Sequence, residues 1–169
     1  MNMRDRPERK HPRLHDYDYS QPGYYYVTIC TQDKLPVLST IQTDQGTATA
    51  IVELSEKGKI VEKQLLALQE RFETARIDKY IIMPTHIHVI IILAEDTAGA
   101  SPCPTLVDII CAFKSLSTRL CNMHDNVKGR KIWQASFYEE VIRSKSAYRQ
   151  IWGYIDSNPS KWGDDIYFV

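Results

Sequence analysis

No stretch of this chain holds the roughly 20 consecutive apolar residues that a membrane-spanning helix requires, so no segment reads as a bilayer span. The opening residues, MNMRDRPERKHPR, contain no apolar core of a secretory signal, and a cytoplasmic location with no membrane partner is the expectation. The four cysteines (Cys30, Cys103, Cys111 and Cys121) form no C-x-x-C pair. That leaves them as buried or free thiols of a cytosolic protein. Net charge is also missing: Lys+Arg and Asp+Glu both number 21, so the chain as a whole carries no electrostatic signature of a nucleic-acid binder. There is no internal repeat and no low-complexity tract.

What is present is an ordinary globular composition. The chain has 169 residues, 43% hydrophobic and 25% charged, most simply one domain with a substantial core. Its charge is unevenly spread. Between Cys111 and Arg149 stand eight basic residues (Lys114, Arg119, Lys128, Arg130, Lys131, Arg143, Lys145, Arg149) against three acids (Asp125, Glu139, Glu140). Near the N-terminus Arg4, Arg6, Arg9, Lys10 and Arg13 outnumber Asp5 and Glu8. Local basic patches can grip a phosphate backbone in a chain that is neutral overall, although each such residue also reads as part of a solvated face.

Residues 1–22 are charged and lack apolar periodicity, and read as a basic arm. A β-branched and aromatic run predicts a first strand over 24–31. Its Tyr25, Val27 and Ile29 share the better core face, with Tyr24, Tyr26, Thr28 and Cys30 on the other. Residues 36–46 read as a loop or weak hairpin and 47–53 as a short strand. Ser55 is a candidate N-cap for a helix to about Phe72, in which Gly58 is a weak point. Strands follow over 76–83 and 86–93, with a tight break at Pro84-Thr85. Thr105 caps a predicted helix to about His124, whose apolar stripe is Leu106, Ile109, Ile110, Phe113, Leu116 and Leu120. A fourth strand over 137–142 and a last helix, capped by Ser144 and ended by Pro159, complete the order. Strands and helices do not alternate strictly, which argues for α+β: an antiparallel sheet covered by helices, close to a ferredoxin-like arrangement.

Within residues 80–93, YIIMPTHIHVIIIL, His86 and His88 are two apart on a strand. Both imidazoles therefore project from one face while Ile87 turns into the core. Two such imidazoles make half of a divalent-metal site; they also read as strand histidines satisfied by hydrogen bonds. On the last helix Tyr154 and Asn158 lie four apart, hence on one face. Asn158 could offer an amide oxygen to the same ion, and Tyr154 a phenol as nucleophile. Helix-end chemistry and a core aromatic remain open for the two of them.

The stretch His86-Ile87-His88 resembles the His–hydrophobe–His signature of HUH endonucleases. Residues 82–88, IMPTHIH, resemble the Met-Pro-Asn-His-x-His run of single-tyrosine HUH transposases, and most of all the REP-associated tyrosine transposases. Further segments match in the same order: Tyr17-Asp-Tyr-Ser with Gly23 and Tyr26-Val-Thr, Phe113-Lys-Ser, Trp133-Gln with Phe137-Tyr-Glu, Val141-Ile-Arg143, and Tyr154-Ile-x-x-Asn-Pro159 with Trp162. His-x-His alone is a weak signal; the ordered set, over residues 13 to 163, is specific. One departure is Thr85, where the family usually has Asn. It leaves the ligands intact and bears on a hydrogen bond behind them.

The resemblance implies a catalytic domain over 23–169 with the tyrosine on its C-terminal helix. It further implies a sequence- or hairpin-specific single-stranded DNA endonuclease that cleaves and rejoins DNA through a covalent 5′-phosphotyrosine, in transposition or mobilisation of REP elements. Tyr154 would be the nucleophile, and His86, His88 and Asn158 the ligands of one Mg²⁺ or Mn²⁺. Single-stranded or hairpin DNA would be the partner. Some relatives act as homodimers that exchange the tyrosine helix; others are monomeric. Stacking surfaces and phosphate partners for DNA are sought among Arg13, Tyr17, Tyr19, Lys114, Arg130, Lys131, Trp133 and Arg143. The rival readings are a phosphohydrolase using water in place of Tyr154, and a nucleic-acid-binding protein that no longer cuts.

Overall fold

The computed structural model describes residues 17–43, 49–95 and 103–164. In chain order it contains β1 (Gly23–Cys30), β2 (Ser39–Thr43), β3 (Ala50–Leu54), α1 (Glu56–Leu66), α2 (Leu68–Arg71), β4 (Ala75–Ile82), β5 (His86–Leu93), α3 (Leu106–His124), β6 (Tyr138–Ile142) and α4 (Lys145–Ser157), then a 3₁₀ stretch, Pro159–Asp164. Four strands form one sheet in the order β4-β5-β1-β6, antiparallel at every step. β2 and β3 form a separate two-stranded ribbon. The architecture is α+β, as expected from the sequence.

Alternation along β1 decides what each face carries. Tyr25, Val27 and Ile29 are fully buried and stand opposite Ile91, Val89 and Ile87 of β5. Val61 and Leu65 of α1 and Ile109, Ile110 and Phe113 of α3 share one core cluster with them. The opposite face holds a smaller cluster of Tyr26, Ile90, Ile142 and Ile155, flanked by Ala147, Tyr148 and Ile151 of α4. Helices therefore cover both faces, α1 and α3 on one and α4 on the other.

The predicted caps form. Gly58 N–H donates to Ser55 Oγ at 3.0 Å and Ala147 N–H to Ser144 Oγ at 3.1 Å. Thr105 and Asp108 make a reciprocal capping box. Two elements differ from the sequence expectation. The helix expected to run to Phe72 is interrupted at Ala67, which separates α1 from α2. Residues 39–43, placed in a loop or weak hairpin, are a full strand of the β2–β3 ribbon; its buried position is held by Ser39, whose hydroxyl donates to Ile82 O at 2.9 Å, so the apolar alternation that marks a half-buried strand is missing from the sequence. Gly58 is also more than a weak point. A Cβ there would lie 2.0 Å from the Leu38 carbonyl oxygen, so the loop before β2 packs directly on α1 at that position. Among the described residues no helix is long and apolar enough to cross a membrane.

Candidate active site

The Pro84-Thr85 turn sets the histidines in place. Met83 N–H donates to His86 O at 2.9 Å, closing a tight hairpin between β4 and β5. Thr31 N–H donates to Thr85 O at 2.8 Å, tying this turn to the end of β1. On the face covered by α4, His86 stands opposite Cys30 and His88 opposite Thr28. Both imidazoles are buried, at 0% and 1% exposure. Their Nε2 atoms are 2.9 Å apart, within hydrogen-bond distance, and the tautomers decide which of the two donates.

Each outer nitrogen has a hydroxyl behind it. His88 Nδ1 lies 2.8 Å from Tyr26 Oη and 2.9 Å from Thr28 Oγ1; His86 Nδ1 lies 3.1 Å from Thr85 Oγ1. A hydroxyl that accepts from Nδ1–H leaves the Nε2 lone pair available. Burial, reinforced by the positive charge of Lys34, pushes the His86 pKa down to about 3, so this ring is neutral at physiological pH. The departure at Thr85 thus falls on the side chain behind His86, and Thr85 supplies a hydroxyl there.

The last helix closes over the pair. The Tyr154 ring lies 5.3 Å from that of His88 in edge-on contact, and the Trp162 ring 6.0 Å from that of His86. Asn158 sits four residues from each, at the end of α4. It is 2% exposed, with Oδ1 beneath the surface. Tyr154 is 40% exposed, so its ring touches His88 while part of it remains open to solvent. α4 is pinned to β4 by a Lys79 Nζ–Asp156 Oδ1 ion pair at 2.6 Å, with Lys79 Nζ also 3.9 Å above the Trp152 ring.

The donor set fits a divalent ion. Two nitrogens bound to one ion at about 2.1 Å and at about a right angle stand about 3.0 Å apart, which is the separation already present. Among the described residues no group of three His, Cys, Asp or Glu side chains is placed to hold a metal, so a third ligand drawn from them is of another type. The Asn158 amide oxygen is of that type.

The residues proposed for DNA contact divide by location. Lys114, Arg130, Lys131 and Trp133 line one groove of about 470 Å³. It adjoins the histidine end of the sheet, because Thr31 bridges Trp133 and Gln32 N–H donates to Ile132 O. Lys114 Nζ already donates to the carbonyls of Gln134 and Ala135, and Arg130 pairs with Asp125 at 2.7 Å; Lys131 is exposed. Trp133 is only 5% exposed and donates to Ser117 Oγ at 2.9 Å, and Tyr19 is 8% exposed and donates to Glu139 Oε1 at 2.7 Å. Both rings pack in the core, which leaves no broad face for a base to stack on. Tyr17 packs edge-on against Tyr19 and Tyr25. Arg143 is exposed at the other end of α4, and Arg13 lies outside the described residues.

Sequence reasoning missed Tyr26 and Thr28 as partners of His88. Alternation placed them on one face of β1, but which strand lies beside β1 is a tertiary fact. Trp162 was visible only as a motif residue, with no role attached.

No family model matches the sequence. An uncharacterized protein from Haemophilus influenzae is 29% identical over 176 residues, covering 95% of this chain and 93% of its own. The fold is similar to that of a REP-associated tyrosine transposase solved bound to a REP hairpin. The TM-score is 0.64 at 19% identity, over 89% of this chain and 74% of that one. A candidate transposase from Deinococcus radiodurans (18% identity, 86% of this chain and 95% of that one) reaches a TM-score of only 0.49, too low to bear on the fold.

Proposed function

We propose that this chain is a metal-dependent single-tyrosine endonuclease of the HUH transposase kind, acting on single-stranded or hairpin DNA. The observation that carries the reading is the contact of Tyr154 with His88, 5.3 Å between ring centroids, on the face where His86 and His88 hold their Nε2 atoms 2.9 Å apart. The strand order β4-β5-β1-β6, with α1 and α3 on one face, supports a ferredoxin-like description to which α4 adds the tyrosine from the other side.

In the proposed reaction Tyr154 Oη attacks the phosphorus of a phosphodiester. An Oη–P bond forms as the P–O3′ bond breaks, the phenolic proton passes to solvent, and the leaving 3′ oxygen takes up a proton from solvent to become a hydroxyl. One phosphoester replaces another, so attack by a 3′-hydroxyl on the phosphotyrosine rejoins DNA without ATP. A phenol ionises near pH ~10, so the tyrosine needs its target positioned and polarised. A divalent ion held by His86, His88 and Asn158 would supply that polarisation, and imidazole ligands favour Mn²⁺ over Mg²⁺. Tyr26, Thr28 and Thr85 hold the two imidazoles in orientation, and Lys114, Arg130 and Lys131 offer a basic groove for the strand beside the site.

The test is covalent trapping. Wild-type protein incubated with end-labelled hairpin DNA and Mn²⁺ should give a DNA–protein adduct on a denaturing gel. Tyr154→Phe, which removes one oxygen, should bind the hairpin but form no adduct. An adduct of equal yield from the Phe variant refutes the assignment of the nucleophile. Binding without adduct on every hairpin, by the wild type, would instead mark a DNA-binding protein that does not cut.

A further inference from the structure

A second cleft, of about 610 Å³, opens at the other end of α4, on the same sheet face as the histidines. Two ring contacts fix how α4 lies. Tyr148 stands 5.7 Å from Tyr24 at the start of β1, and Tyr154 stands 5.3 Å from His88, which pairs with Thr28. The helix therefore runs from this cleft toward the histidine pair. The separation is about 14 Å along β1 and about 9 Å along α4.

The walls of the cleft are cationic and aromatic. Arg143, Lys145 and Arg149 line it and are exposed. The one acid among its lining residues, Asp78, accepts a hydrogen bond from Tyr148 Oη at 2.7 Å. In the cross-strand row through Tyr24, Arg76 of β4 stands opposite Ile92, adding a cation on the same face. Tyr24 is 43% exposed, which leaves ring surface for a base. Cations beside an open aromatic face are the components of a single-strand binding track, and nothing in the proposed chemistry at Tyr154 uses them.

We propose that this cleft holds the backbone of single-stranded DNA about three to four nucleotides from the phosphate at Tyr154, counting about 3.4 Å per stacked nucleotide. The proposal rests on the DNA reading above but not on cleavage. It assigns Lys145 and Arg149 to phosphates and Tyr24 to a base, and it makes affinity depend on how far the strand extends beyond the hairpin.

The experiment is fluorescence anisotropy in EDTA, with hairpins carrying 5′ or 3′ single-stranded tails of about two to about eight nucleotides. Wild-type protein should gain about tenfold in affinity as one of the two tails lengthens. The double variant Lys145→Ala/Arg149→Ala should keep less than about a threefold gain. Its slope of log affinity against log salt on the long tail should be smaller by about 1.4, at about 0.7 per phosphate for single strands. Both side chains are exposed, and an unchanged thermal midpoint confirms the fold. No gain with either tail in the wild type, or the full gain retained by the variant, overturns the proposal. Because EDTA prevents cleavage, failure to trap an adduct at Tyr154 leaves this result standing. An adduct together with an unchanged length dependence removes the cleft and leaves the nuclease.

Discussion

The two hydroxyls behind His88 allow a sharp test of how the histidine pair is held. His88 Nδ1 is buried and lies 2.8 Å from Tyr26 Oη and 2.9 Å from Thr28 Oγ1. Removing one hydroxyl leaves the other in place, so Tyr26→Phe or Thr28→Val alone should cost about 0.5–1.5 kcal/mol, the net worth of a hydrogen bond. Removing both strips the buried nitrogen of either hydroxyl and adds a desolvation penalty of about 1–3 kcal/mol. The double variant should therefore lose about 1 kcal/mol or more beyond the sum of the singles. Urea unfolding of all four proteins in EDTA measures this. In Tm, 1 kcal/mol corresponds to about 2–4 °C for a chain of this length. EDTA keeps metal binding out of the comparison. Strictly additive losses would refute the reasoning, because they would mean that Nδ1 does not depend on this hydroxyl pair.

Gly58→Ala should destabilise although it improves helix propensity by about 1 kcal/mol. The new Cβ would sit 2.0 Å from the Leu38 carbonyl oxygen, and shifting that backbone should leave a net loss of about 2 kcal/mol, or about 4–8 °C in Tm; an unchanged or raised Tm in a thermal melt would contradict it. Asp125 accepts from Lys57 Nζ at 2.8 Å, His124 Nδ1 at 2.9 Å and Arg130 Nη1 at 2.7 Å, and these bonds, that from Lys57 foremost, hold its carboxyl well below the usual range. Its stabilisation is therefore complete above the unfolded value of about 4 and is lost as pH falls through the depressed folded value. Asp125→Asn should lower Tm at neutral pH, with the difference from wild type closing in strong acid; a difference independent of pH would count against it.

Much of the local structure was legible in the chain. The alternation of Tyr25, Val27 and Ile29 identified the core face, because strand periodicity is a property of the backbone alone. Ser55, Thr105 and Ser144 announced three helix starts, since a cap satisfies N–H groups within its own first turn. His86 and His88 had to share a face for the same periodic reason, and Tyr154 and Asn158 had to share a helix side. Other features were not legible, because they depend on which surfaces meet. Nothing in the order of residues said that β1 would lie beside β5 and bring Tyr26 and Thr28 against His88. Nothing said that α4 would cover the face opposite α1 and α3, or that Trp162 would close over His86. The rings of Tyr19 and Trp133 could be read either as stacking surfaces for DNA bases or as core, and only the tertiary structure packs both in the core, because an aromatic with one polar atom is equally satisfied at a surface or beside a buried partner. Sequence by itself determined the residue types at the site and the elements that present them. Their meeting at one end of the sheet was decided by strand order and by the side on which the last helix packed, both set by burial of apolar faces far apart in the chain.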